Sequence, residues 1–121
     1  MTPIGAMHEL SIAMSILDVV EEESIRHGEG RVAAIHLKLG PLSGVAKEAL
    51  LAAFDLAREE TPLKECQLLI EEIPIVVYCP VCKTERSVVS IQNMCCAVCA
   101  SPTPEVLAGR ELEVSAMELC Q

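Results

Sequence analysis

The sequence predicts an α+β fold, in which a small three-stranded mixed sheet with two helices carries an inserted zinc-ribbon-like domain. Three observations predict it. Apolar residues recur at helical spacing in two segments and alternate at strand spacing in three others. Two Cys-x-x-Cys pairs, separated by thirteen residues, stand between the second and third of those strands. The length of 121 residues suits one small domain that carries a smaller one.

The first predicted element is an amphipathic helix that begins near Leu10. Apolar residues recur there at steps of three and four, the spacing of one helical face. Gly28 follows them and is expected to end the helix. The buried face is expected to comprise Leu10, Ala13, Met14, Leu17 and Val20, widened by Ile12, Ile16 and Val19.

A strand is predicted next, at residues 31–39, because apolar and polar residues alternate there. A loop at residues 40–44 and a second helix at residues 47–60 follow, and Pro62 ends that helix. The inward side chains of the strand are expected to be Ala33, Ile35, Leu37 and Leu39. The apolar stripe of the helix is expected to be Leu50, Leu51, Phe54, Leu56 and Ala57.

Two further strands flank the cysteine segment. The helix between the first two strands predicts that they are parallel, and the third strand is expected to return antiparallel. The second strand runs from Cys66 to Pro74, with Cys66, Leu68 and Ile70 facing the core. The third occupies residues 111–118, with Leu112, Val114 and Ala116 on one face.

The chain is therefore expected to divide into two domains. Residues 7–75 and 108–121 form the α+β domain, residues 76–107 form a zinc-binding domain, and residues 1–6 are a featureless N-terminal extension. The net charge of −9 lies outside the cysteine segment, because residues 75–108 carry two basic and two acidic side chains.

Charge and hydropathy exclude several classes of function. Nucleic-acid binding is not expected, since the acidic chain has no basic stripe. No apolar run approaches the roughly 20 residues of a membrane span, and no secretory signal is recognised. A cytoplasmic protein with reduced thiols is expected.

The cysteine quartet is the most specific motif. Cys79, Cys82, Cys96 and Cys99 offer four thiolates at the spacing of a tetrahedral Zn²⁺ site. Four sulfur ligands leave no position for water, so this zinc is expected to be structural and not catalytic. A thiol redox role for the pairs is a less favoured alternative.

The other cysteines carry less information. Cys95 competes with Cys96 as a ligand, but Cys96 is favoured because it reproduces the spacing of the first pair. Cys66 is expected to be a core residue, and the role of Cys120 is open.

His8 and Glu9 form a second candidate site, just before the first predicted helix. An imidazole, backbone amide nitrogens and a free amine can bind Ni²⁺ or Cu²⁺ in a square plane. An ordinary hydrated histidine is the competing interpretation. His27 and His36 have no adjacent partner in the sequence and are expected to point to water.

Five segments occur in a set order: Met7-His8-Glu9-Leu10-Ser11-Ile12-Ala13, Leu39-Gly40-x-Leu42-Ser43, Ile70-Glu71-Glu72-x-Pro74, the two Cys-x-x-Cys pairs, and Gly109-Arg110-Glu111-Leu112. Together they resemble the HypA/HybF family of hydrogenase nickel-incorporation proteins. The resemblance extends from Met7 to the C-terminus.

This resemblance implies a nickel metallochaperone and not an enzyme. Members bind Ni²⁺ and help to insert it into the large subunit of [NiFe]-hydrogenase together with the GTPase HypB, and some also serve urease maturation. The Met-His-Glu motif of the family implicates His8 as the nickel ligand and Glu9 as its assistant. The zinc ligands of the family match Cys79, Cys82, Cys96 and Cys99. A zinc-ribbon interaction module of a nucleic-acid or transcription complex is the alternative interpretation.

One departure concerns the start of the motif. In the family the motif usually begins the polypeptide, whereas here Met1 to Ala6 precede it and displace the amine. Either Met7 is the true first residue, or the extension is kept and nickel is bound more weakly through His8 and backbone amides. We expect a chain that begins at Met7 to bind Ni²⁺ more tightly.

Overall fold

The structure, a computed structural model, describes residues 4–28, 31–88 and 90–120. Residues 1–3 of the predicted extension lie outside this part. The elements are α1 (Ile4–Arg26), β1 (Arg31–Leu39), a short 3-10 helix (Pro41–Ser43), α2 (Lys47–Arg58), β2 (Gln67–Glu72), β3 (Ile75–Cys79), β4 (Thr84–Val88), β5 (Glu105–Ala108) and β6 (Leu112–Cys120). The predicted order of helices and strands is confirmed, and β3, β4 and β5 were not predicted as strands.

Two compact units are formed. The first comprises the described parts of Met1–Leu37, Val45–Glu71 and Glu113–Gln121, and the second comprises Lys38–Gly44 and the described parts of Glu72–Leu112. None of the helices in the described ranges combines the length and the apolarity that crossing a membrane requires.

One three-stranded sheet has the order β2-β1-β6. The amide of Gly40 donates to the carbonyl of Glu111 (2.8 Å), and the Ser115 hydroxyl donates to the His36 carbonyl (3.3 Å). The contacts step backward along β6 as they step forward along β1, so this pair is antiparallel. The pair of β1 and β2 is parallel, because contacts move forward along both strands together. At their beginning Arg31 forms an ion pair with Glu65, and at their end the Ile73 amide donates to the Leu39 carbonyl. The mixed sheet is confirmed.

The core of the first unit lies between the two helices and this sheet. It is aliphatic apart from Phe54 and Cys66, in keeping with an aromatic content of 2%. Its buried members are Ala13, Ile16, Leu17, Val20, Val32, Ile35, Leu37, Leu50, Phe54, Leu63, Cys66 and Leu68.

The predicted start of α1 is wrong. The helix begins at Ile4 and includes His8, because alanine, methionine and glutamate favour the helix and extend it toward the N-terminus. Its end is as predicted, with Gly28 in the left-handed conformation (φ 86°) just after the helix.

The predicted helix faces are too wide. Met14 and Val19 are exposed, since each lies about 110° around the helix from the centre of the buried stripe. In α2, Leu56 is exposed because it lies almost opposite Leu50 and Phe54.

Two strand patterns also differ from prediction. In β1, Ala33 is exposed while Val32 and Ala34 are buried, because this central strand is partly covered on both faces. In β6, Val114 and Met117 contact the core while Leu112 and Ala116 are exposed. Residues three apart point to opposite faces of a regular strand, so the buried positions of β6 do not follow strict alternation.

The second unit contains an antiparallel sheet of order β4-β3-β5. Among the described residues, the buried members of its apolar cluster are Ile75, Val77 and Val88. Cys79 lies at the end of β3 opposite Thr84 of β4, so the hairpin turn between these strands carries the first cysteine pair.

Candidate metal centre

The two cysteine pairs adopt the same turn. In each, the residue after the second cysteine donates its amide to the carbonyl of the first cysteine: Lys83 to Cys79 at 2.7 Å, and Ala100 to Cys96 at 2.8 Å. Lys83 and Ala100 both have left-handed backbones, with φ of 55° and 63°. Neither is glycine, so the fold holds both turns in a conformation that costs free energy.

Backbone amides also face the first sulfur of each pair. The Cys82 amide donates to Sγ of Cys79 at 3.3 Å, and the Val98 amide donates to Sγ of Cys96 at 3.4 Å. A sulfur that accepts an N–H bond is better able to carry negative charge. Each turn therefore aims one backbone N–H at the first sulfur of its pair.

The four sulfur atoms converge on one point. All lie within 4.8 Å of one another, with Cys79 to Cys99 at 3.5 Å and Cys82 to Cys96 at 3.9 Å. Bonds of about 2.3 Å to a tetrahedral Zn²⁺ would set the sulfurs about 3.8 Å apart. The spacing and the all-sulfur donor set both fit zinc.

The second turn is held by a network around Thr103. The amide of Cys96 donates to the Ser101 carbonyl at 2.9 Å. The buried Thr103 donates its hydroxyl to the Met94 carbonyl at 2.7 Å. Cys95 forms a β-bridge with Pro102. These contacts fix the register of the loop, so that Cys96, and not Cys95, belongs to the cluster.

The thiols differ in their affinity for protons. Donation from the Cys99 and Val98 amides lowers the pKa of Cys96 to about 6, and hydrogen bonds from Ser101 lower the pKa of Cys99. The hydrogen bond with Cys99 raises the pKa of Cys82 to about 11. A divalent metal replaces the shared protons, because a thiolate and not a thiol is its ligand.

Cys66 and Cys120 lie elsewhere. Cys66 is 1% exposed within the core of the first unit, and burial raises the pKa of its thiol. Cys120 is exposed near the end of β6. Both line one cleft beside Pro62 and Gln67.

The second candidate pair does not share one face of α1. His8 is exposed, whereas Glu9 is only 3% exposed. The Glu9 carboxylate accepts a hydrogen bond from the amide of Ala46, the residue before α2, at 3.3 Å. This contact was not predicted, although Glu9 continues the buried stripe of Ala13 and Ile16 toward the N-terminus at steps of four and three.

The other two histidines have exposed side chains, and each also lies near a carboxylate. Nε2 of His36 lies 2.6 Å from the Glu118 carboxylate across two strands, and Nε2 of His27 lies 3.8 Å from Glu23 one helical turn away. Neither lies in a cluster of metal-ligating side chains among the described residues.

Comparisons with known proteins agree with the motif order. The sequence profile of the family described as "Hydrogenase/urease nickel incorporation, metallochaperone, hypA" matches residues 7–119. Hydrogenase maturation factor HypA of Chloroflexus aurantiacus is 41% identical over 112 residues, which cover 93% of this chain and 98% of that protein. Hydrogenase maturation factor HybF of Klebsiella pneumoniae is 35% identical over 112 residues, which cover 93% of this chain and 98% of that protein.

Solved structures share the fold. The solution structure of the Ni metallochaperone HypA from Helicobacter pylori matches with a TM-score of 0.63 at 21% identity, over 92% of this chain and 96% of that one. A second solution structure of a HypA protein matches with a TM-score of 0.66 at 23% identity, over 94% and 97% of the two chains.

Proposed function

Because this chain belongs to the HypA family of hydrogenase and urease nickel-incorporation metallochaperones, we propose that it binds Ni²⁺ through His8 and Glu9 and delivers it to the large subunit of [NiFe]-hydrogenase. Members of this family are maturation factors that carry a metal, so the chain is not an enzyme. In this proposal Ni²⁺ is cargo and the four-cysteine site holds a structural Zn²⁺.

The exposure of His8 is the observation that carries the proposal. Its imidazole is exposed near the beginning of α1, and a carrier must release its metal to a partner. Imidazole nitrogen is a good ligand for Ni²⁺. An exposed site exchanges ligands with a partner more readily than a closed one.

Glu9 is assigned to the same site as the residue that anchors it. Its buried carboxylate holds the first turns of α1 against the amide of Ala46. The next residue toward the N-terminus is His8, which this anchor keeps at a defined place on the surface.

The zinc role follows from the donor set. Four thiolates complete a tetrahedral shell, which leaves no position for a substrate or water. The small apolar cluster of Ile75, Val77 and Val88 supplies little burial for this unit. Metal binding then contributes folding free energy that the core does not.

The partners we propose are the GTPase HypB and the hydrogenase large subunit, with urease maturation proteins as further partners. The acidic chain, with a net charge of −9, favours the approach of a cation and of basic protein surfaces.

Calorimetric titration with Ni²⁺ tests the nickel site. We expect His8→Ala to abolish Ni²⁺ binding and to leave the zinc content and the circular dichroism spectrum unchanged. His27→Ala is the matched control, since it removes another exposed histidine. Unchanged nickel affinity in His8→Ala, or equal losses in both variants, would contradict the proposal.

A further inference from the structure

Arg86 occupies an unusual position beside the cysteine cluster. It lies on β4 opposite Val77 of β3, two residues from Thr84, which pairs with Cys79. Its side chain is half-buried, and Nε is sealed from water with no hydrogen-bond partner among the described residues. An arginine in such a place needs negative charge nearby to offset the loss of hydration.

The cysteine sulfurs supply that charge. The guanidinium lies beside the Cys96 and Cys82 side chains, one from each turn, and hydrogen bonding with them raises the pKa of Arg86. Its Nη1 also donates to the Glu85 carbonyl at 3.5 Å. The register of β3 and β4 also puts Arg86 on the same face of the sheet as Thr84, the residue opposite Cys79.

The charge of the loaded site makes this contact important. Four thiolates and one Zn²⁺ carry a net charge of −2, because four negative charges exceed two positive ones. Apart from the thiolates, the side chains of residues 75–108 are neutral in sum. The opposing charge must therefore come from individual cations near the sulfurs.

We propose that Arg86 is the counter-ion of the zinc tetrathiolate and joins the two cysteine turns by donating to one sulfur of each, which slows the loss of zinc. This inference rests on the proposed function, in which the four-cysteine site holds Zn²⁺. An N–H bond to a coordinated sulfur disperses part of its negative charge and must be broken before that cysteine leaves the metal. Arginine suits the task because its planar fork reaches two acceptors at once, whereas lysine is a point charge.

Zinc release from the full chain to a chromogenic chelator, at one pH and ionic strength, tests the role. We expect Arg86→Gln to release zinc at least tenfold faster and Arg86→Lys to release it at an intermediate rate. Arg110→Gln is the matched control, since it makes the same chemical change at an exposed arginine of the same unit. It should release zinc at the rate of the unchanged chain.

The Co²⁺-substituted proteins keep the test decisive, because their absorption reports how many sulfurs bind the metal. If Arg86→Gln keeps four-sulfur coordination and its zinc release rate does not change, the counter-ion role is wrong. If both Arg86→Gln and Arg86→Lys lose four-sulfur coordination, Arg86 is needed for packing and the role is also wrong. Loss of four-sulfur coordination in Arg86→Gln but not in Arg86→Lys supports the counter-ion role. A chain that took up no zinc even with Arg86 present would instead refute the zinc proposal.

Discussion

The carboxylate of Glu9 and the backbone amide of Ala46 join the first two helices of this protein. Glu9 Oε1 accepts from the Ala46 amide at 3.3 Å, and Glu9 is 3% exposed. Ala46 has no side chain that can cap α2. A carboxylate at a helix N-terminus also meets the positive end of the helix dipole. Glu9 thus supplies from α1 the cap that the sequence of α2 lacks.

Glu9→Ala is expected to destabilise the protein. The change leaves the Ala46 amide without this acceptor, and the loss of a helix cap costs about 0.5 to 2 kcal/mol. Urea unfolding followed by circular dichroism measures the difference. Glu22→Ala removes an exposed glutamate from the same helix and should change the free energy of unfolding by less than about 0.5 kcal/mol. Equal effects of the two changes would contradict a capping role.

Gly40→Ala is expected to damage the second unit. A Cβ at Gly40 would overlap the carbonyl of Gly109, and that carbonyl already accepts the Leu42 amide at 2.7 Å. The Gly40 amide also donates to the Glu111 carbonyl at 2.8 Å. Because backbone atoms have little freedom to move, we expect a loss of about 3 kcal/mol or more in unfolding free energy.

Gly44→Ala separates this clash from simple backbone strain. Gly44 has a φ of 79°, but no atom lies within 4 Å of a Cβ placed there. Only the left-handed conformation of alanine then costs free energy, about 1 to 2 kcal/mol. Thermal unfolding of both variants should rank Gly40→Ala as the less stable. The reverse order would show that the Gly40 backbone has room to adjust.

Removal of the metal should loosen the second unit and spare the first. Within the described parts of the chain, twelve buried residues form the first core and three form the second. Hydrogen exchange before and after treatment with a chelator is the measurement. We expect the amides of β3 and β4 to lose protection while those of Ala13 to Val20 keep theirs. Full protection of β3 in the metal-free protein would mean that the metal is not structural.

The start of the chain should influence nickel affinity. Within α1 the amide of His8 is paired with a carbonyl one turn earlier, so a nickel site that uses backbone nitrogens must unwind that turn. A chain that begins at Met7 has no such earlier turn and places its amine next to His8. We expect it to bind Ni²⁺ more tightly in calorimetric titrations at one pH.

A chain that begins at Ile4 is the matched control. It is also shortened, but it keeps the carbonyl one turn before His8, and three residues separate its amine from His8. Its affinity should stay close to that of the full chain. Equal affinities of all three chains would contradict a role for the amine.

Local patterns of the sequence determined much of this protein. The steps of three and four in α1 and α2, the alternation in β2 and the two Cys-x-x-Cys pairs each depend on neighbours within a few residues. Those patterns predicted the order of the elements, the mixed sheet and four sulfurs that the fold brings together. The order of the motifs along the chain was sufficient to indicate the family.

Only the tertiary structure decided how distant residues combine. Glu9 meets an amide 37 residues away, Gly40 meets Gly109, and Arg86 lies beside one cysteine from each turn. A buried carboxylate or guanidinium is tolerated only where another segment supplies its partner. No periodicity within one segment encodes that partner, because the free energy of the contact depends on the folding of both segments.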